Sequence, residues 1–227
     1  MIEYIFTDNY EAAVKEAFLK LSLGGDSKIL NIACERRLVS ESLKGVFNQD
    51  NISGLEINRE IVESDPRIKY CDVNYDRFPF EGESFDVIVS IWGMEHFKTD
   101  NVFQESYRVL KKGGSFVFIT PNTGNPVFFF NKIFHGLLGK TYYRYLTDSQ
   151  YKPHMTFYNF NSRGRIEKIA QIYKYNLEKI IYLGPSCFLD YFSFSAILQN
   201  IARGLEKIIT NRMLCFLKPY IIFILKK

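Results

Sequence analysis

Short apolar runs recur along the first half of the chain and alternate with segments of helical spacing. One run, residues 85–91, is almost continuously apolar, as expected for a central strand that is buried on both faces. Residues 102–110 have helical spacing and end at two lysines followed by two glycines, which is typical of a helix end. Together with that central run, the pattern predicts five strands in this half: residues 28–33, 51–57, 68–73, 85–91 and 115–120.

Strands that alternate with helices at this spacing favour a parallel sheet joined by crossover helices. A first helix is predicted from residue 8 or 9 to about residue 23, where two glycines end it. Ligands of such sheets bind beyond the carboxyl ends of the strands. The residues that directly follow each strand are therefore the candidates for a functional site.

The pattern changes beyond residue 122. Residues 123–152 are aromatic and basic, and they include three consecutive phenylalanines at positions 128–130. No apolar run approaches the roughly 18 residues that a transmembrane helix needs. Four further elements are predicted after this segment: a helix at 162–175, a strand at 177–183, an amphipathic helix at 188–209 and a terminal strand at 218–227.

Composition adds little to this picture, but the location of the charge adds one feature. The 227 residues, 47% hydrophobic and 24% charged, suit one globular domain with a substantial core. The formal net charge is +4, and residues 184–227 carry all of it, with six basic and two acidic side chains. This basic, aromatic tail suits contact with an anionic surface, but its charge is too small to indicate a nucleic-acid partner.

The cysteines and the start of the chain indicate a reducing location. The four cysteines lie far apart, without the spacing of metal ligands, so we expect free buried thiols and no metal site. The first ten residues are acidic and mixed in character, unlike a signal peptide. We therefore expect a cytoplasmic protein.

Several motifs together resemble the class I S-adenosylmethionine-dependent methyltransferases. The best match covers residues 68–122, and a looser match extends over residues 29–158. The motifs stand at the family's order and spacing: Cys71-Asp72-Val73, Phe78-Pro79-Phe80, Ser84-Phe85-Asp86-Val87-Ile88, Glu95-His96, and residues 108–114 (RVLKKGG).

The resemblance implies an α/β fold with a Rossmann-like, mostly parallel seven-stranded sheet flanked by helices. It also implies aromatic-rich helical insertions in the C-terminal half. On this basis residues 1–227 form a single methyltransferase-like domain. Its parts are a cofactor-binding half at 27–122, insertions or a lid at 123–152 and 184–217, and the terminal strand at 218–227.

The resemblance places S-adenosylmethionine at the strand ends. Glu56, at the end of the second strand, is expected to accept hydrogen bonds from both ribose hydroxyls, and Asp72, after the third, from the adenine amino group. A solvated carboxylate at Glu56 and a turn cap at Asp72 are the alternatives. The predicted site also includes four apolar residues at the strand ends: Ile57, Val73, Ile91 and Trp92.

The first motif departs from the family. The family has an acid, an apolar residue and then Gly-x-Gly-x-Gly, because glycine lets the backbone approach the cofactor. This chain has Asn31-Ile32-Ala33-Cys34-Glu35-Arg36-Arg37, so the acid and every glycine are replaced. The asparagine also resembles a methyltransferase subgroup found near bacterial surface-polysaccharide genes, which usually keeps the glycines. From this motif Asn31, Ala33, Cys34 and Glu35 are assigned to the cofactor site.

Two readings of the Glu35 carboxylate are open. It either pairs with the amino group or sulfonium of the cofactor, or it fills the pocket.

Methyl transfer needs alignment of the reactants and, for a hydroxyl or neutral-acid nucleophile, a base. His96 is the first candidate base. His154 is the second, because residues 153–158 resemble a segment that lies over the active site in this family. The alternatives are a structural histidine at a helix start for His96 and a packed loop residue for His154.

The expected function is transfer of a methyl group from S-adenosylmethionine to a small-molecule, glycan or lipid-linked acceptor, with S-adenosylhomocysteine as product. The alternative is a catalytically silent methyltransferase-like scaffold, which the glycine-free first motif favours. A nicotinamide-dependent oxidoreductase is disfavoured because G-x-G-x-x-G is absent after the first strand. For the aromatic and basic segments we expect a lid, peripheral membrane contact or a homodimer interface.

Overall fold

A single mixed sheet of eight strands organises the chain in the computed structural model. The strands are β1 (Glu3–Thr7), β2 (Ile29–Ile32), β3 (Ile52–Glu56), β4 (Ile68–Tyr70), β5 (Phe85–Ile91), β6 (Leu110–Pro121), β7 (Asn176–Leu183) and β8 (Tyr220–Lys226). The helices are α1 (Tyr10–Leu19), α2 (Arg59–Ser64), α3 (Asn101–Val109) and α4 (Arg163–Ile172), with short 3-10 helices at Gln49–Asn51 and Met94–His96. The structure describes residues 3–7, 10–19, 21, 23–34, 38, 48–126, 128–129, 132–133, 155–183, 197, 200–201, 204 and 217–227.

The order of the strands across the sheet is β1-β7-β8-β6-β5-β2-β3-β4. Every pairing is parallel except those of β8, which runs antiparallel to both β6 and β7. The prediction of a Rossmann-like, mostly parallel sheet is confirmed, and all seven predicted strands are present.

The sheet has one strand more than predicted. β1 is a five-residue edge strand that pairs in parallel with β7, with Glu3 opposite Lys179. Its partner strand lies more than 170 residues away in sequence, so no local sequence pattern predicts the pairing. The first helix also ends at Leu19, four residues before the predicted end.

The two faces of the sheet carry separate apolar clusters because successive side chains of a strand point to opposite faces. On one face, Ile88, Phe116 and Phe118 pack with Phe103 of α3 and Ile166 of α4. On the other face, side chains of β2, β5 and β6 pack against α1: Ile29, Val87, Val89, Val117 and Ile119 with Val14, Ala17 and Phe18. This burial on both faces explains the nearly continuous apolar run of β5.

A buried ion pair on α3 holds the loop that precedes β5. Glu105 is 6% exposed, and its carboxylate accepts hydrogen bonds from Arg108 (Nη2–Oε2 2.5 Å) and from the amide of Phe78 (2.9 Å). The Arg108 guanidinium also donates to the carbonyls of Phe78 (3.0 Å) and Phe80 (2.9 Å). Phe78 itself is buried in the core, as expected for a residue that packs this loop.

Much of the predicted insertions lies outside the described residues. This holds for most of residues 123–152 and 184–217, and for nearly all of the helix predicted at 188–209. Among the helices that the structure describes, none has the length and apolar character to cross a bilayer.

We predict that Glu105→Gln lowers the free energy of unfolding at pH 7 by about 2–3 kcal/mol, because it removes charge-assisted bonds to a buried group. Burial opposes ionisation of Glu105, but the bonds from Arg108 and Phe78 outweigh it, and the pKa of Glu105 lies below its ordinary value of 4.5. The contribution of the carboxylate is therefore fully present above about pH 4.5 and is lost as the pH falls through the lowered pKa.

Urea unfolding of both proteins over a range of pH measures this effect. The difference between wild type and variant should shrink below pH 4.5. Glu167→Gln is the matched control, since Glu167 pairs with Arg163 on the exposed side of α4, and it should cost less than about 0.5 kcal/mol. A difference for Glu105→Gln that stays constant down to the acid transition would contradict the assignment.

Candidate functional site

A cavity of about 270 Å³ opens at the carboxyl ends of β2, β3, β4 and β5. This is close to the lower end of the range for small-molecule sites. Its walls come from the residues that follow these four strands and from residues 155–157. The lining residues are Ala33, Leu55, Glu56, Ile57, Cys71, Asp72, Val73, Asn74, Trp92, Gly93, His96, Phe97, Lys98, Met155 and Phe157.

The carboxylate of Glu56 is held by the turn that follows β3. Glu56 is 8% exposed, and its Oε1 accepts hydrogen bonds from the amides of Ile57 (2.9 Å) and Asn58 (3.1 Å). Ile57 is 54% exposed at the cavity, which is unusual for an isoleucine beside a buried strand. The structure therefore places a fixed carboxylate and an open apolar side chain next to each other.

Asp72 both caps a turn and lines the cavity. Its Oδ1 accepts hydrogen bonds from the amide and the side-chain Nδ2 of Asn74, each at 3.0 Å. Its own amide donates to Oδ2 of Asp76 (2.8 Å). No described residue donates to the second carboxylate oxygen, Oδ2 of Asp72. The turn-cap interpretation thus accounts for one oxygen and leaves the other able to bind a ligand.

Asn74 ties the loop after β4 to the loop after β5. Its Oδ1 accepts a hydrogen bond from the amide of Lys98 (2.7 Å), and its carbonyl accepts one from Oγ1 of Thr99 (2.5 Å). Asn101 adds a third link, with bonds to the carbonyls of Val73 (3.1 Å) and Asp76 (2.9 Å). Two walls of the cavity are therefore fixed relative to each other.

His96 lies in the short helix after β5, and residues 155–158 hold its ring. Its Nδ1 is 2.8 Å from the carbonyl oxygen of Met155. Because a carbonyl can only accept, the proton belongs on Nδ1, and Nε2 then carries a lone pair. The amides of Phe157 (2.7 Å) and Tyr158 (3.2 Å) donate to the carbonyl of Glu95 and fix the same segment.

The thiol of Cys71 also lines the cavity, but it is not a nucleophile. Burial and the nearby carboxylates of Asp76, Asp72 and Glu105 raise the pKa of Cys71 to about 12. It therefore stays protonated near neutral pH. Of the four cysteines, Cys34 and Cys71 fall within the described residues, and both are buried free thiols. Among those same residues, no group of histidine, cysteine and carboxylate side chains could hold a metal ion.

Seven of the predicted site residues converge on this cavity: Ala33, Glu56, Ile57, Asp72, Val73, Trp92 and His96. Three others do not line it. Asn31 is buried and donates from Nδ2 to the carbonyl of Leu38 (2.8 Å), Cys34 packs into the core with α1, and Ile91 packs against the same cluster. Glu35 and His154 lie outside the described residues.

The sequence reasoning missed several residues of the cavity wall. Asn74, Gly93 and Lys98 do not directly follow a strand. The only sequence signal for them is that they belong to the loops after β4 and β5. Met155 and Phe157 could have been predicted, because residues 153–158 resemble a segment that lies over the active site in the family.

Comparisons with known proteins show similarity to methyltransferases. A family model described as a methyltransferase domain matches residues 30–118. The chain is 28% identical over 152 residues to the ubiquinone/menaquinone biosynthesis C-methyltransferase UbiE of Pseudoalteromonas translucida, a match over 63% of this chain and 52% of that relative. The chain thus spans about half the length of the curated relative it matches.

Solved structures show the same fold. An S-adenosylmethionine-dependent methyltransferase from Archaeoglobus fulgidus superposes with a TM-score of 0.56 at 16% identity, over 96% of this chain and 95% of that one. A geranyl diphosphate C-methyltransferase from Streptomyces coelicolor, solved with Mg²⁺, geranyl diphosphate and S-adenosylhomocysteine, has a TM-score of 0.52 at 16% identity, over 95% and 79% of the two chains.

Ala33 occupies a backbone conformation that favours glycine. Its φ is +56°, at the first glycine position of the family's motif. For an alanine this conformation costs roughly 1–2 kcal/mol. Gly93 lies directly beside it, because a Cβ at position 93 would be 2.9 Å from the Cβ of Ala33.

We predict that Ala33→Gly raises the free energy of unfolding by roughly 0.5–1 kcal/mol, because relief of the strain exceeds the added backbone entropy of the unfolded chain. Urea or thermal unfolding measures it. The control is Ala170→Gly in α4, a helical position, where glycine should cost about 1 kcal/mol. A loss of stability for both variants would mean that Ala33 is not strained.

Proposed function

We propose that this chain, which belongs to the class I S-adenosylmethionine-dependent methyltransferases, binds its cofactor in the cavity between β2, β3, β4 and β5 and transfers the methyl group to an acceptor that His96 deprotonates. The observation that carries the proposal is the convergence of Glu56, Asp72, Trp92 and His96 on one cavity. They come from three separate strand ends, at the edge where ligands of parallel sheets bind.

The residues present fit the adenosine part of the cofactor. The Glu56 carboxylate, with Oε1 fixed by two amides, would accept hydrogen bonds from the ribose hydroxyls. Oδ2 of Asp72 would accept one from the adenine amino group, and the exposed Ile57 would cover a face of the base. Two carboxylates on the wall suit a ligand that presents hydrogen-bond donors.

The methionine part would lie toward Ala33, after β2, where the family has its glycines. Ala33 has a positive φ, a conformation that favours glycine, which is the residue that the family has at this position. When bound, S-adenosylmethionine supplies a methyl group that its sulfonium activates. The remaining task of the protein is to align an acceptor and, where the nucleophile carries a proton, to remove it.

His96 is placed for that removal. The carbonyl of Met155 would hold the proton on Nδ1, and the lone pair that the neutral ring carries on Nε2 would make it a base without a change of tautomer. His96 lines the same cavity as the cofactor residues, so a proton and a methyl group would be exchanged on one acceptor. This requirement favours a nucleophile with an ionisable proton.

A small or lipid-like acceptor is favoured over a glycan. Met155 is 71% exposed and lines the cavity together with Phe157, which suits a planar or apolar body more than a glycan. The matched curated relative acts in ubiquinone and menaquinone biosynthesis, and the Streptomyces neighbour binds geranyl diphosphate. Both names agree with this choice.

We predict that titration calorimetry detects binding of S-adenosylhomocysteine and S-adenosylmethionine, and that Glu56→Gln and Asp72→Asn each weaken it about 10- to 100-fold. The reason is that each variant loses hydrogen bonds to a charged acceptor, worth about 1.5–3 kcal/mol. Glu81→Gln is the control, because Glu81 is an exposed carboxylate in the loop before β5, at the opposite end of that strand. Wild-type protein that is folded and binds neither compound would refute the cofactor assignment.

We predict that His96→Asn reduces kcat by about 10²–10⁴-fold with an acceptor found by screening with methyl-labelled cofactor. The asparagine amide keeps a donor for the Met155 carbonyl but has no basic nitrogen. Calorimetry with S-adenosylhomocysteine should give unchanged affinity. Full turnover in the variant would show that alignment alone drives the reaction.

A further inference from the structure

Two segments distant in sequence form one wall of the cavity. Residues 95–98 and 155–159 run side by side, and the hydrogen bonds from the amide of Phe157 to Glu95 and from Asn159 to the carbonyl of Lys98 (3.0 Å) join them. Four side chains from these segments line the cavity, and we term them the acceptor wall: His96, Lys98, Met155 and Phe157. The wall combines a base, a cation, a thioether and an aromatic ring.

Lys98 is the cation of this wall, and its backbone is fixed on both sides. Its amide donates to Oδ1 of Asn74 (2.7 Å), and its carbonyl accepts from Asn159. Its ammonium nitrogen lies 5.0 Å from the centroid of the Phe157 ring. In the described part of the chain, no carboxylate forms an ion pair with Lys98. The cavity wall therefore holds a positioned ammonium group that no carboxylate of the described residues pairs with.

We infer that Lys98 binds an anionic group of the methyl acceptor, a carboxylate or a phosphate, while the planar or apolar body of the acceptor packs on Phe157 and Met155. This inference rests on the proposed function. Charge supports it, because Glu56 and Asp72 supply negative charge at the adenosine end and Lys98 lies on a different wall, two residues from the base His96. An ammonium group forms charge-assisted hydrogen bonds with carboxylate or phosphate oxygens.

The position of Lys98 argues against the carboxylate of the cofactor as its ligand. Lys98 is anchored to Asn74, which in turn binds Asp72. If Asp72 holds the adenine, the methionine carboxylate lies toward Ala33, at the other end of the cofactor. The acceptor would then lie along the wall with its nucleophile at His96 and its anionic group at Lys98.

The experiment uses wild-type protein saturated with S-adenosylhomocysteine and follows the fluorescence of Trp92, the single tryptophan of the chain, which lines the cavity. The probes are benzoate, phenyl phosphate and the neutral benzamide. We expect the better of the two anions to bind at least about tenfold more tightly than benzamide, as charge-assisted bonds do relative to neutral ones. Which anion is preferred identifies the acidic group of the acceptor.

The variants test whether Lys98 causes this preference. Lys98→Met should abolish it and Lys98→Arg should retain it. Lys69→Met is the matched control, because Lys69 is an exposed lysine 4.4 Å from the centroid of the Phe80 ring but does not line the cavity. It should leave the preference unchanged.

Three outcomes overturn the inference. Equal binding of anions and benzamide by the saturated wild type, or no binding of any probe, would mean that the wall has no anion site. A loss of S-adenosylhomocysteine affinity in Lys98→Met, with unchanged affinity for 5′-methylthioadenosine, which lacks the carboxylate, would assign Lys98 to the cofactor. By contrast, wild type that fails to bind S-adenosylhomocysteine would refute the proposed function itself.

Discussion

The parallel pairing of β2 with β3 and β5, and of β3 with β4, places four carboxyl strand ends along one edge of the sheet. In this register Asn31 lies opposite both Gly54 and Val89, and Glu56 lies opposite Tyr70. The chain therefore turns away from each strand at nearly the same height, and every turn opens toward the same space. A cavity at this edge follows from the pairing, before any particular side chain is considered.

The side chains give this edge its polarity. The turns after β3 and β4 each begin with a carboxylate that accepts hydrogen bonds from backbone amides of the next residues, and these bonds fix Glu56 and Asp72. The opposite wall depends on long-range contacts instead. Residues 155–158 bond to Glu95 and His96, about sixty residues earlier, so the chain segments that hold His96 differ from those that hold the two carboxylates.

The sequence predicted those parts that depend on local pattern. The strands could be located because each is a short apolar run, and the resemblance to the methyltransferases then pointed to Glu56, Asp72, Trp92 and His96 near the strand ends. The edge strand β1 could not be located from the sequence, because its pairing with β7 is non-local. Asn31, Cys34 and Ile91 were assigned to the site from their place in a motif, but their side chains turn into the core or toward Leu38. Such directions depend on packing, which the sequence pattern does not encode.

The contact between Lys98 and Phe157 is another feature that the sequence pattern does not predict. Neither residue follows a strand directly, and although Phe157 belongs to the segment 153–158 that resembles one over the active site, nothing in the sequence pairs it with Lys98. They meet because Asn74 and Asn159 hold the backbone of Lys98 from two sides, and asparagine side chains of this kind carry no periodic signal.

The first motif lacks glycine, and this is the main reason to consider a silent scaffold. Gly93 provides a glycine directly beside this motif. Ala33 adopts a left-handed conformation, which favours glycine, and its Cβ points into space that a side chain at position 93 would fill. A Cβ on residue 93 would lie 2.9 Å from that of Ala33 and 2.7 Å from Oγ of Ser90, closer than real contacts allow. A glycine thus stands at the end of β5, beside the position in the first motif where the family has one. The Cβ of Ala33 has space because position 93 lacks a side chain, so the replacement at position 33 does not by itself close the cavity.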